Sequence, residues 1–197
     1  MGRSLNKRER LTLAATVLVH QKGFANTTLA DIADKADVAL GSVFYYFKTK
    51  DDVAKAVFRS RLDDINLITE DFDQLPDPLA RLKALVNIWV DDRDIDSRYG
   101  CPIGSLCYEL AKGRGPISSV AAQLFNTLLV WTEKQFRLMG CTKKRAYVLA
   151  QHLVASLQGI SLLANALGEP DSILMEAKFL NDWLASVKKE QAGKPSA

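Results

Sequence analysis

The chain is poor in the residues from which metal centres and nucleophilic active sites are built. Among its 197 residues there are three cysteines and two histidines. Cys101, Cys107 and Cys141 form no C-x-x-C pair, and His20 and His152 stand far from them, so zinc-ligand spacing is missing. The odd cysteine count argues for free thiols rather than a disulfide framework. Neither histidine has a neighbouring nucleophile and orienting group, which removes the usual grounds for a hydrolase. The expectation is therefore a non-enzyme with no cofactor and no metal. No uninterrupted apolar run of about 20 residues occurs, which argues against a membrane-spanning helix. The opening MGRSLNKRER is basic but leads into a mixed amphipathic stretch rather than a signal-peptide core, and Asn6 stands where a myristoylation motif needs Ser or Thr. A cytoplasmic protein with no membrane partner is expected.

Strand alternation is missing as well, whereas apolar residues recur at intervals of three and four throughout, the period of packed helices. With 48% apolar and 25% charged residues the composition is that of an ordinary globular chain. Helices are expected from Lys7 to Lys22, closed by Gly23, and from Thr49 to about Asp71, with Thr49 and Asp52 at a capping interval. Asp77-Pro78 starts the next, through Leu82 and Trp89, which frays in the acidic run Asp91, Asp92, Asp94 and Asp96, read as a solvated helix end. Gly100-Cys101-Pro102 breaks the chain before a short helix around Leu106, and Gly113 and Gly115 interrupt again. Later helices run to Gly140, from Thr142 to Gly168, and from Pro170 through Val187. A disordered tail is expected from 191 to 197.

The net charge of +3 is unevenly placed. Residues 1–61 carry 11 Lys/Arg against 6 Asp/Glu, and the remainder 15 against 17. A basic N-terminal part beside a near-neutral one fits a phosphate-facing domain joined to a second domain of other purpose.

Residues 23–50, GFANTTLADIADKADVALGSVFYYFKTK, hold the densest signal. Leu29, Ile32, Ala33 and Ala36 make one apolar helix face. Thr27 or Thr28 can cap its start, and Thr28 followed by Asp31 has capping-box spacing. Asp37 tolerates a tight turn. A second helix over about 39–47 then crosses the first, the layout of a helix-turn-helix whose second helix enters the major groove. From its exposed face, Ala39, Leu40, Gly41, Ser42, Tyr45 and Tyr46 are the candidate DNA contacts: Gly41 permits close approach, Leu40 suits a thymine methyl, and Ser42 and the tyrosines offer hydroxyls. Lys48, Lys50 and Thr27 or Thr28 are candidate phosphate contacts. Phe44 and Phe47 are expected to plug the small core. Arg, Asn and Gln are missing from 39–46, so DNA shape is expected to contribute to specificity.

Gly23-Phe24, Thr27-Thr28, Asp31-Ile32-Ala33, Ala36-x-Val38, Gly41-Ser42, Tyr45-Tyr46-Phe47 and Lys50 together resemble the DNA-binding domain of the TetR/AcrR family of bacterial transcriptional regulators. The resemblance is dense over about 7–60. It departs from the family pattern at Ala39, often Ser there, and Leu40, frequently Lys. It implies an all-α protein of about nine helices: a helix-turn-helix domain over 1–60, its linking helix continuing to about 71, and a helical effector-binding and dimerisation domain over 72–190. The implied activity is that of a regulator, a repressor above all, which binds a palindromic operator as a homodimer and is released by a small molecule.

For the dimer surface, the last two long helices offer His152, Ala155, Ser156 and Gly159, with Ser161 and Ala164, as small or flat positions, and Trp183 opposite. The effector pocket implied by the resemblance lies in the central helices. Its candidate lining is Trp89, Tyr99, Leu106 and Tyr108, then Phe125, Leu128, Trp131 and Gln158, and these aromatics suggest an apolar or aromatic ligand. Cys101, at a helix start, is a further candidate, and it supports an alternative in which a thiol senses oxidants or electrophiles. A helical ligand carrier or an enzyme without DNA binding leaves residues 23–50 and the N-terminal positive charge unexplained.

Overall fold

The computed structural model describes residues 5–112 and 116–192. Ten helical segments and no strands are found among them: α1 Lys7–Lys22, α2 Leu29–Ala36, α3 Leu40–Tyr46, α4 Lys50–Asp73, α5 Pro78–Asp91, α6 Arg93–Tyr99, α7 Pro102–Lys112, α8 Pro116–Leu138, α9 Lys143–Leu167 and α10 Asp171–Ala192. The all-α expectation holds. The segment not foreseen is α6. The acidic run does not fray; Asp92 ends α5, and the chain turns helical again within one residue.

Most boundaries follow from side chains near in sequence. The Asn6 side chain accepts from the Glu9 amide at 3.0 Å while the Glu9 carboxylate accepts from the Asn6 amide at 2.8 Å, closing a capping box on α1. Thr28 and Asp31 form the same box on α2. Before α4, Thr49 and Asp52 exchange bonds of 3.2 and 3.0 Å, and Asp52 also accepts from the Lys48 amide. Asp77 caps α5 with Pro78 in the first turn, and Thr142 caps α9. Helix α10 continues through Ala192, so Gln191 is helical; the rest of the expected tail lies outside the described residues, as do the expected breaks at Gly113 and Gly115.

The helices gather into two compact units that do not follow chain order. One comprises the residues through Asp64 together with Pro102–Leu124; the other comprises Ile65–Cys101 and the residues from Phe125 onward. Helix α7 therefore packs with the N-terminal helices, although an unbroken effector domain from residue 72 is the sequence expectation. The first unit is built on Leu11, Ala15, Leu18, Ile32, Val43, Phe47, Val53 and Val57, the second on Leu82, Val86, Phe136, Leu153, Leu157, Ile173, Leu180 and Leu184, all buried.

Helix α9 is the one long apolar helix among the described residues. By length and composition it is apolar enough to cross a membrane. Its Ala146, Ala150, Leu153, Val154, Leu157, Ser161 and Ala164 face the core of the second unit, and the opposite side remains open.

Candidate nucleic-acid interface

Helix α2 is short, with all of its buried residues, Ile32, Ala33 and Ala36, on one side. It stops because Asp37 adopts a left-handed conformation, φ 50°, which a short polar side chain tolerates. The turn is clamped from α1: the Arg10 guanidinium donates to the Ala36 carbonyl and, at 2.7 Å, to the Asp37 carbonyl. Val38 donates its amide to Ala33 at 3.0 Å, and α3 begins at Leu40. Ala39 supplies no side-chain cap, and the first turn of α3 is closed by the backbone bond from the Ser42 amide to the Ala39 carbonyl, 2.8 Å.

A helix of seven residues can bury one stripe, and here that stripe is Val43 with Phe47 four residues on. The opposite side is open. Leu40 is 44% exposed, Phe44 52% and Tyr45 78%. Phe44 is thus not a core plug; Phe47 is. A Cβ added at Gly41 would meet nothing within 4 Å. Ser42 and Tyr46 are half-buried, and the Tyr45 and Tyr46 rings stand edge to face with centroids 5.0 Å apart.

The candidate phosphate contacts divide. Thr27 is 4% exposed, and its hydroxyl donates to the Gly23 carbonyl at 2.8 Å, so its side chain faces inward rather than toward a ligand. Thr28 is exposed but occupied as the cap; its hydrogen bonds, with Lys22 adding to them, hold the Asp31 carboxyl below the usual range. Asp52 is lowered by the equivalent bonds from Thr49. Lys48 is exposed. Lys50 has its ammonium on the Ala25 carbonyl at 2.6 Å and 5.0 Å from the centre of the Phe24 ring, so it anchors the loop between α1 and α2. Two further ammonium protons remain for a phosphate. Beside α3, a groove of about 590 Å³ runs between α1 and α4, lined by Arg8, Lys55 and Arg59 with Leu13 and Tyr46 among others.

The α1–α2 loop is also held from α7. The Phe24 amide donates to the Glu109 carboxylate. Gly23 has φ 82°, a conformation that favours glycine, and a Cβ there would push the Glu109 carboxylate away from the Phe24 amide.

The candidate effector residues fall in both units. In the first, Leu106 is core, while Tyr108 is exposed beneath the Lys112 ammonium, 4.1 Å from its ring centre, and lines no interior. In the second, Leu128 is core, Phe125 and Tyr99 are half-buried, and Trp131 donates to Asp73 at 3.1 Å. Asp73 also accepts from Lys134 and Gln135; these hydrogen bonds outweigh partial burial and keep its carboxyl low. Gln158 reaches the Cys101 sulfur at 3.4 Å. All three cysteines are buried and none is in a disulfide, and the burial of Cys101 counts against the thiol-sensor alternative.

The sequence reading missed Asp96. It is 4% exposed and accepts from the Ser161 hydroxyl at 2.9 Å, which itself accepts from the Trp89 indole at 2.7 Å. Burial pushes its carboxyl up to about 6, opposed by the Ser161 bond and assisted by the like charge of Asp92. No local spacing marked it: Trp89 lies on α5 and Asp96 on α6, and the partner they share, Ser161, is on α9. Ser161 and Ala164 accordingly face inward and leave the expected dimer surface. His152, Ala155 and Gly159 stay exposed, Ser156 and Trp183 are half-buried, and the His152 and Trp183 rings meet edge to face at 4.8 Å.

Comparison with known proteins agrees over both units. Residues 11–57 match the model of the bacterial regulatory proteins of the tetR family, and residues 78–178 match that of the LmrA/YxaF-like transcriptional regulator C-terminal domain. An uncharacterized HTH-type transcriptional regulator of the lacX 3' region from Lactococcus lactis subsp. lactis is 29% identical over 88% of this chain and 90% of its own. The HTH-type transcriptional repressor KstR2 of Rhodococcus jostii is 36% identical over 64 residues, about a third of each chain. A TetR transcriptional regulator from Legionella pneumophila superposes with TM-score 0.81 at 20% identity, covering 93% of this chain and 98% of that one.

Proposed function

Since the chain belongs to the TetR family of bacterial regulatory proteins and is a DNA-binding transcriptional regulator, we propose that it is a repressor which binds a palindromic operator as a homodimer and leaves it when a small molecule binds. The observation that carries this is the outward face of α3, presented by a turn locked through Arg10 and flanked by exposed Lys48. One such short helix makes too few contacts for tight binding, and two on a twofold axis multiply them.

Support for the second copy comes from α9 and α10. Val148, His152, Ala155, Gly159, Leu162 and Leu163 are exposed along α9, and Met175 and Phe179 along α10. A contiguous apolar face of this kind on a soluble chain asks for cover. The effector is read as apolar or aromatic, because Trp89, Leu128 and Trp131 lie inside the second unit with few polar handles, Gln158 and the Asp96 chain among them. Such a ligand has to prefer the conformation with low operator affinity, since equal affinity for both shifts nothing. The chain acts without catalysis, in the cytoplasm with the chromosome.

Retention of duplexes from a random library by the purified chain, followed by a gel-shift series against salt, tests the reading. Sequence-selective, salt-sensitive retention of an inverted repeat is expected. Equal binding of all duplexes, or none, would refute it.

A further inference from the structure

The recognition helix has an unusual chemical inventory for a surface meant to read bases. Between Ala39 and Phe47 there is no Arg, Lys, Asn, Gln, Asp or Glu, so no side chain of α3 can make a bidentate hydrogen bond to a base edge. Ser42 is half-buried. What the helix holds outward is mainly apolar: Leu40 and Phe44 lie four residues apart and so stack one turn above the other, and Tyr45, paired edge to face with Tyr46, adds a hydroxyl. Exposed apolar surface gains from burial against apolar partners, and the floor of the major groove offers one such group, the C5-methyl of thymine.

Resting on the DNA-binding reading and sharpening it, we propose that Leu40 and Phe44 determine the operator sequence by packing on thymine methyls. One helical turn advances about 5.4 Å and a base step about 3.4 Å, so the two methyls lie about one to three base pairs apart in each half-site. Positive charge on the flanks suits the phosphates on either side: Lys48 is exposed, and the first 61 residues carry five excess positive charges. The same contacts exclude cytosine, whose exocyclic amino group would lose its water against Phe44 without gaining an acceptor. Selectivity then comes from the methyl gained and the amino group stranded.

Substituting deoxyuridine for thymine tests this on the DNA side, leaving the protein untouched. Once a half-site has been selected with the full chain, each thymine is replaced in turn and affinity is measured by fluorescence anisotropy. One or two positions per half-site lose about three- to fivefold, the worth of one buried methyl. Leu40→Ala and Phe44→Ala each weaken binding of the thymine duplex and flatten the deoxyuridine penalty at one position. Lys48→Ala weakens thymine and uracil duplexes alike. Both apolar side chains are about half exposed, and circular dichroism verifies that the variants fold. Uniform tolerance of deoxyuridine, or a penalty undiminished in both alanine variants, overturns methyl readout while leaving operator binding standing. Failure to retain any duplex overturns the DNA-binding reading, and methyl readout with it.

Discussion

Two exposed apolar faces on this molecule differ in their borders. The face on α3 is small, one turn high, and has the exposed Lys48 just past its end. The face on α9 and α10 is long and carries small residues, Ala155 and Gly159, between its large ones, Leu162, Leu163 and Phe179. Apolar exposure alone therefore says only that something covers a surface. The rim narrows the choice: a cation beside a narrow ridge suits a polyanion, and a broad stripe with gaps for another backbone suits a protein surface.

The largest effect is expected from emptying the core beneath the α3 ridge. Phe47→Ala removes a fully buried ring and destabilises the first unit by about 3–5 kcal/mol, seen as a lowered melting temperature and lost operator binding. Charging the other face separates the two roles: Leu163→Glu with Phe179→Glu leaves helicity by circular dichroism intact, gives a monomer in sedimentation, and costs about a hundredfold in operator affinity. A dimer that survives both charges breaks the assignment of that stripe.

Asp96→Asn addresses the second unit alone. Because burial raises the carboxyl to about 6, well above its value of 3.8 when unperturbed, the folded chain holds this proton more tightly than the unfolded chain. Stability from this group therefore falls as pH rises from about 4 to 6 and stays low above that. The variant keeps an acceptor for Ser161, gains about 1–3 kcal/mol at pH 8, and matches the parent near pH 4 in urea titrations. The smallest effect belongs to Thr28→Ala, which opens the capping box of α2 for about 0.5–2 kcal/mol.

What could be read from the chain and what could not divide along the same line. The boxes of Thr28 with Asp31 and Thr49 with Asp52 depend on partners within a few residues, and spacing reveals them; the turn at Asp37 is legible from its residue type although Arg10 clamps it from α1. Phe44 was misplaced because one apolar residue too many was assigned to a helix with room for one buried stripe. Thr27 turned inward for the sake of the Gly23 carbonyl, a choice between two hydroxyls that look alike in sequence. In the second unit the informative neighbours are remote: Asp96 and Ser161 are 65 residues apart, and no local pattern marks an acid as buried. Tyr108 shows the converse, an aromatic residue left outside because Leu106, Cys107 and Leu110 already fill the inner side of α7.

The bond from Phe24 to Glu109 bears on how such proteins can be recombined. Grafting the first 60 residues onto another regulator's body would leave that carboxylate behind, with the loop amide bare and a glycine at 23 facing a foreign side chain. A working chimera of this chain has to carry the stretch from Pro102 to Lys112 along with its head.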